Sequence, residues 1–432
     1  MDRLADLLAG RFRDPDSGAA LSVPVKSVVI AASLAGQEAD LVASIGLKPP
    51  FGVVSDDNTG PALGRRVEEA LAALGPVVPI RLGARPHPDD RTADRVMEQG
   101  RDAASYIAVG AGTINDLAKY AAARQGKRYA VFGTAPSMNG YTSVNAAITA
   151  GGHKKSLAAT AADGVFIDLD IMANAPKRLI RAGFGDAICR STAQADWLLA
   201  HRLLGQPYRR APFALFAALE DEMMRDPLAL VSGDRAAIER LVRILILSGF
   251  GMTICGGSYP ASQGEHLISH MIEMQPPPGW AEPFHGEQVA VTTLTMARLQ
   301  ERMTDRPEPP QLHASALTEA KLIAQFGAEV GASCWAEIKP KLFDATETAD
   351  LAVKLKSIWS ALRQELQSVM RPAAAIGAAL KAIGAPRSHG DIGLGRDYYA
   401  GAVGHAREIR NRYTFLDLAA DSGLLDPETL IA

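Results

Sequence analysis

The sequence predicts an α/β domain built on a parallel sheet, followed by a mainly α-helical domain. Three observations predict it: short apolar runs alternate with helical patterns over the first 172 residues, the alternation stops near Ala175, and the remainder of the chain reads as successive helices. The chain is therefore expected to divide into residues 1–172 and 173–432.

Length and composition agree with that division. With 432 residues, 47% of them hydrophobic and 22% charged, the chain can bury more than one core. Lys plus Arg number 45 against 48 Asp plus Glu, a net charge of −3, and no basic aromatic face stands out. Nothing electrostatic therefore draws a nucleic acid or an anionic membrane, and small metabolites fit better as partners. Cys189, Cys255 and Cys334 are odd in number and widely spaced, and no basic region with a long apolar run opens the chain. A reduced, cytoplasmic compartment is expected. The most apolar stretch, residues 244–254, is too short to span a bilayer and is interrupted by Gly249 and Gly251, so it reads as a buried segment.

A leader helix around residues 2–11 precedes apolar runs at 27–32, 51–55 and 77–82, which read as strands. Helical patterns are clearest at 64–74 and 92–99, and further strands are expected at 105–109, 128–132 and 164–168. At the C-terminal end of the fourth strand the segment GAGTINDLAKY, residues 110–120, passes straight into a helix. Gly110 and Gly112 permit a tight turn and close backbone approach, and the first N–H groups of the helix favour a phosphate. Asn115 stands where a third Gly would complete G-x-G-x-x-G, so a purely structural turn is the alternative. Asp56, just beyond FGVVS, is placed to accept hydrogen bonds from a ribose, with ordinary turn chemistry as the alternative. TAPSMNGYTS, residues 134–143, suits a ligand-wrapping loop or a plain Ser/Gly connector. GGHKKS, residues 151–156, reads as a solvated basic turn rather than a phosphate contact.

In the second half, Pro176 fits the first turn of one helix and Asp186 is expected to open another. Helices are expected at 211–225, 234–247, 286–302, 310–326, 343–370 and 373–383. A helix over 265–273, supported by Leu267, Ile268, Met271 and Ile272, puts His266 and His270 on one face. His285 brings a third imidazole at the head of HGEQVAVTTLTM. This is a metal site or proton relay on one reading and a pair of core or capping histidines on the other, since H-x-x-x-H lacks the Glu of the zinc-protease helix. Asp186, after Gly183-Phe184-Gly185, is commonly only a cap. With His266 and His285 it also makes a three-ligand set for a divalent cation, with a position left for a substrate oxygen.

Taken together, VVSDDNT, GAGTINDLAKY, TAPSMNGYTS, ANAPKRLIRAGFGD, GEHLISH, FHGEQV and HAREIRNRYTFLDL resemble, in order and over nearly the whole chain, the sn-glycerol-1-phosphate dehydrogenase family. That family is a branch of the superfamily of iron-dependent alcohol dehydrogenases, glycerol dehydrogenase and dehydroquinate synthase. The resemblance implies a dehydroquinate synthase-like fold, with a Rossmann-like NAD(P)-binding domain and a helical metal- and substrate-binding domain. It implies metal ligation by Asp186, His266 and His285, with zinc, nickel or iron as the divalent ion. It implies a nucleotide site lined by Asp56, Gly110, Gly112, Thr113, Ile114, Asn115, Asp116, Thr134, Ser137 and Ser143. His270, Asp186 and Asn139 would face a phosphorylated triose, dihydroxyacetone phosphate, reduced to sn-glycerol 1-phosphate, and a homo-oligomer is implied. HAREIRNRY is expected on a solvated helix face or a subunit contact rather than on the substrate phosphate.

Two departures from the family pattern bear on substrate. Asn139 stands where the family has Asp, keeping an acceptor but losing the charge, and Cys189-Arg190-Ser191 replaces a Lys and an aromatic residue. The same fold acting on glycerol, another polyol or another ketose phosphate, or a silent nucleotide-binding relative, are the competing readings. Dehydroquinate synthase itself has Glu where this chain has Asp186.

Overall fold

The computed structural model describes residues 2–151 and 153–431. Helix α1 (Arg3–Leu8) precedes β1 (Ser27–Ala31), and then helices and strands alternate: α2 (Glu38–Ser44), β2 (Phe51–Ser55), α3 (Arg65–Ala72), β3 (Val77–Arg81), α4 (Asp90–Gln99), β4 (Ser105–Gly110), α5 (Gly112–Gln125) and β5 (Arg128–Gly133). A hairpin of β6 (Asn145–Ala150) and β7 (His153–Ala158) comes before β8 (Gly164–Asp168).

Six of these strands form one parallel sheet in the order β1-β8-β5-β4-β2-β3. β2, β4 and β8 are buried along their whole length, which is why they read as unbroken apolar runs. From β2 the chain steps outward to β3, then returns to β4 and proceeds the other way to β5. The loops after β2 and β4 therefore diverge, and the crevice at their carboxyl ends is where open α/β sheets take ligands. Asp56 follows β2, and Gly110 closes β4.

Helices continue to the end of the chain. They are α6 (Leu169–Ala173), α7 (Lys177–Ala187), α8 (Arg190–Leu204), α9 (Ala211–Ala214), α10 (Ala217–Arg225), α11 (Ala229–Ser232), α12 (Arg235–Cys255), α13 (Gly264–Met274) and α14 (His285–Thr304). Beyond them lie α15 (Glu319–Phe326), α16 (Ala328–Ile338), α17 (Ala345–Val369), α18 (Ala373–Ile383), α19 (Arg396–His405), α20 (Phe415–Asp421) and α21 (Pro427–Leu430). No helix among the described residues is long and apolar enough to cross a membrane.

The chain forms two compact units, Met1–Ala187 with Arg210–Ser258, and Ile188–Arg209 with Tyr259–Ala432. The first contains the sheet, with Phe51, Val53, Ile107, Phe132 and Phe166 in its core. The second is helical around Leu267, Ile268, Leu299, Trp359 and Phe415. The end of strand structure near residue 172 is therefore not the limit of the sheet-containing unit, because α12 packs into it. Thr142 Oγ1 donates to the carbonyl of Ile246 (2.6 Å), and Thr253 Oγ1 donates to the carbonyl of Thr142 (2.8 Å).

Several local expectations are corrected. Asp186 does not open a helix; it lies in the last turn of α7, and α8 starts four residues later. Gly183 lies within α7 because a Cβ there would lie 1.6 Å from the carbonyl oxygen of Pro136, so only glycine lets α7 approach that loop. α12 runs through Gly249 and Gly251 for the same reason, with Gly249 pressed on Asn139 and Thr142. Of residues 310–326 only Glu319–Phe326 is helical, because Pro309 and Pro310 cannot donate to a helix ladder and Thr318 caps the later start by accepting from the N–H of Lys321. Residues 211–225 split into α9 and α10. GGHKKS leads into strand β7 rather than forming a free turn, although Gly152 and the side chain of His153 lie outside the described residues.

Candidate active site

The candidate residues fall into two groups, one in each unit. In the first unit, α5 begins directly after β4 at Gly112, and no side chain caps its N-terminus. A Cβ on Gly110 would sit 2.5 Å from Cβ of Ile114, whereas one on Gly112 would meet nothing closer than Met138 at 3.5 Å. Gly110 thus serves the fold, and Gly112 leaves the helix start open to an anion. Thr113 is half-buried beside it and Ile114 is buried.

Asn115, in place of a third glycine, is fully buried, and its Nδ2 donates to the carbonyl of Gly140 (3.3 Å). The departure from the glycine pattern therefore ties α5 to the 134–143 loop. Asp116 Oδ2 accepts the N–H of Ala147, and its Oδ1 faces Lys119 Nζ at 3.2 Å. Lys119, which local sequence pattern does not single out, has no exposed side-chain surface. Its ammonium donates to Gly140 O, Ser143 Oγ and Asn145 O at 2.7, 3.1 and 2.9 Å, and burial pulls its pKa down against the opposing charge of Asp116. The one available signal is a Lys at i+3 from Asp in NDLAK.

Ser143 is buried and its hydroxyl also donates within this network, while Thr134 and Ser137 are buried on the same loop. Asp56 makes the turn contacts given as the alternative to a ribose contact: Oδ1 accepts the N–H groups of Asn58 and Thr59 (2.9 and 2.7 Å), which fixes the side chain at the end of β2. Asp186 is 1% exposed, and its Oδ2 accepts the backbone N–H of Asn139 at 2.8 Å. The Asn139 side chain turns to Ser248, donating from Nδ2 to Oγ (3.3 Å).

In the second unit the three histidines come together. Ring centroids lie 5.9 Å apart for His266 and His270, 5.1 Å for His266 and His285, and 6.1 Å for His270 and His285. α13 brings two of them because Leu267, Ile268, Met271 and Ile272 bury its opposite face, and its first N–H, on Gly264, donates to Asp196 Oδ2 (2.9 Å). His285 is the first residue of α14, and Ser269 of α13 donates to Gln288 of α14 (3.1 Å). His266 and His270 are buried; the His285 side chain is 36% exposed.

Glu265 and Glu273 are site neighbours that sequence pattern alone does not reveal. Glu265 Oε1 lies 3.0 Å from His266 Nδ1, and Glu273 Oε1 lies 3.6 Å from His285 Nδ1. Burial would push the Glu265 carboxyl up, but the hydrogen bond it accepts from His266 and the backbone N–H donors hold it below its ordinary value. Cys189, Glu265 and His266 also place one donor atom each within 4.8 Å of one another. HAREIRNRY is not a solvated face: Arg407 is 4% exposed and paired with Asp421 at 2.7 Å. The guanidinium of Arg412 lies 5.0 Å from the ring centre of Tyr259, and burial, with the charge of Arg410, lowers its pKa to about 10.

Known proteins resemble this chain in sequence and in fold. Residues 29–176 match the family model of iron-containing alcohol dehydrogenases. A glycerol-1-phosphate dehydrogenase (NAD(P)+) of Bacillus velezensis is 30% identical over 382 residues, 86% of this chain and 86% of the relative. One from Thermococcus kodakarensis is 32% identical over 298 residues, 68% of this chain and 83% of the relative. The crystal structure of a probable glycerol dehydrogenase from Sinorhizobium meliloti superimposes with a TM-score of 0.62 at 17% identity, covering 94% of this chain and 97% of that one, a likeness of fold.

Proposed function

We propose an activity for this chain from its membership: it belongs to the glycerol-1-phosphate dehydrogenase family. It is an NAD(P)-dependent oxidoreductase that interconverts dihydroxyacetone phosphate and sn-glycerol 1-phosphate. The observation that carries the reading is the convergence of His266, His270 and His285.

In this reading Asp186, His266 and His285 hold one divalent cation, zinc, nickel or iron. The donor set fits: imidazoles and a carboxylate suit a borderline ion, and the Nδ1 of His266 already faces a carboxylate, as ligating histidines commonly do. When bound, such a cation supplies Lewis acidity to a ketone oxygen, while NAD(P)H supplies the hydride.

The chain's own residues do the rest. Gly110, Gly112, Thr113, Ile114, Asn115 and Asp116 form the helix start that receives the pyrophosphate, and Asp56 accepts the ribose hydroxyls. Thr134, Ser137 and Ser143 complete the nucleotide loop. Asn139 orients Asp186 through its backbone and hydrogen-bonds a substrate hydroxyl through its amide. His270, one turn from His266, gives the proton to the carbonyl oxygen as it is reduced. A homo-oligomer and a cytoplasmic location are part of this reading, and light scattering tests the first.

The deciding experiment is oxidation of NADH and NADPH with dihydroxyacetone phosphate, on protein stripped of metal and reloaded separately with zinc, nickel or iron. Metal-dependent turnover giving the 1-phosphate stereoisomer is expected. Turnover only with unphosphorylated polyols would transfer the assignment to another substrate, the outcome that Asn139 singles out.

A further inference from the structure

We propose that Glu265 and Glu273, both carried by α13, are positioning residues: Glu265 accepts the Nδ1–H of His266, Glu273 sets its charge opposite Nδ1 of His285, and each thereby presents Nε2 of its ring as the coordinating nitrogen. This deepens the metal reading above and rests on it.

A neutral imidazole carries one N–H, and an ionised carboxylate can only accept, so the nitrogen that faces the carboxylate is the protonated one and the other keeps its lone pair. Glu265 satisfies the geometry closely, with Oε1 3.0 Å from His266 Nδ1. It is also held from elsewhere: Oε1 accepts the N–H of Gln263 at 2.8 Å, Oε2 accepts the hydroxyl of Thr192 at 3.0 Å, and the residue has no exposed surface. The cluster of Cys189, Glu265 and His266 raises the alternative that Glu265 is itself a ligand. Three donors already engage both its oxygens, the pattern of a fixed acceptor.

Glu273 stands eight residues further along α13, about 12 Å by helical rise. At 3.6 Å from His285 Nδ1 it is beyond hydrogen-bond length and orients that ring by charge, with 8% of its side chain exposed. One helix therefore carries His266, His270 and a carboxylate for each proposed imidazole ligand. The two carboxylates should not count equally, because only one makes a short contact.

The test uses metal-free full-length protein labelled with nitrogen-15 histidine, comparing wild type, Glu265→Gln and Glu273→Gln. Two-bond nitrogen–proton correlations read the tautomers, and chelator competition reads zinc affinity. Expected are Nδ1–H tautomers at His266 and His285 in the wild type. Glu265→Gln should lose that tautomer at His266 and weaken zinc binding roughly 10–100-fold, and Glu273→Gln should weaken it less. Nε2–H tautomers in the wild type, or wild-type zinc affinity in Glu265→Gln, would overturn the proposal. Should Glu265→Gln not fold, Thr192→Val leaves the carboxylate in place and should keep the tautomer with a few-fold loss of zinc affinity; unchanged affinity there counts against it. Wild-type protein with the expected tautomers that bound no divalent cation would sink the metal reading and leave the tautomer assignment standing.

Discussion

The backbone N–H of Asn139 donates to Oδ2 of Asp186 across 2.8 Å, while the side chain of the same Asn139 turns away to Ser248. One residue thus separates two tasks, orienting a buried carboxylate with its main chain and offering an amide with its side chain.

Asn139→Ala keeps the N–H and removes the amide. The variant should retain its metal while the KM for dihydroxyacetone phosphate rises about tenfold, the worth of one hydrogen bond of roughly 1–1.5 kcal/mol. Metal analysis and steady-state kinetics check this. Loss of metal would show that the side chain, not the backbone, holds Asp186.

His285→Ala should abolish bound metal and turnover together and leave a folded chain. The side chain is 36% exposed at the head of α14, so truncating it opens little core. Full metal-dependent activity in this variant would remove His285 from the ligand set.

Gly110 and Gly112 should respond differently to alanine. The Cβ in Gly110→Ala collides with Ile114, so the variant should lose about 1–3 kcal/mol of stability. Gly112→Ala has room within the protein but places a methyl group at the open helix start. Its melting temperature should stay near wild type while NAD(P)H binding, read by fluorescence titration, weakens at least several-fold. Unchanged nucleotide affinity would move the pyrophosphate elsewhere.

Asp196 gives a pH signature. Burial, and after it the charge of Glu265, push its carboxyl up to about 8 from an ordinary 3.8. The folded value exceeds the unfolded one, so its contribution to stability is full below the unfolded value and is lost as pH rises towards the folded value. Asp196→Asn cannot titrate. Urea unfolding of wild type and variant at about pH 5 and about pH 8 should show a smaller fall in stability with rising pH in the variant, the difference bounded by about 1.4 kcal/mol per pH unit. Parallel pH dependences would argue against a protonated Asp196. The variant should also be less stable throughout, because its amide sets an N–H against one of three donors, Gly264 N, Phe415 N or Gln300 Nε2.

The legible parts of the sequence are those fixed by local pattern. Strands buried on both faces, such as 51–55 and 164–168, appear as continuous apolar runs with turn residues at their ends. The pairing of His266 and His270 comes from helical spacing within α13. What escapes depends on contacts far along the chain. Asp186 reads as the cap of a helix that starts at it, whereas Gly183 lets α7 lie against Pro136 and carry Asp186 in its last turn. Glu265 reads as an ordinary helix residue, and the hydroxyl of Thr192, 73 residues away, is one of the contacts that make it a buried acceptor. Lys119 is hidden for the same reason, since its partners Gly140, Ser143 and Asn145 lie on the 134–143 loop and at the start of β6.

The sheet-containing unit draws on Arg210–Ser258 as well as on everything up to Ala187. Thr142, in the loop that carries Asn139, is hydrogen-bonded to Ile246 and Thr253. On the ribosome, then, this loop must wait for a helix made more than a hundred residues later. At about 5–20 residues per second, that interval is roughly 5–20 s, during which the nascent sheet stands without the partner that finishes its 134–143 loop. A fragment cut at the last strand would stay in that unfinished state, so the sheet-containing unit of this protein is not a piece that can be separated by cutting the chain once.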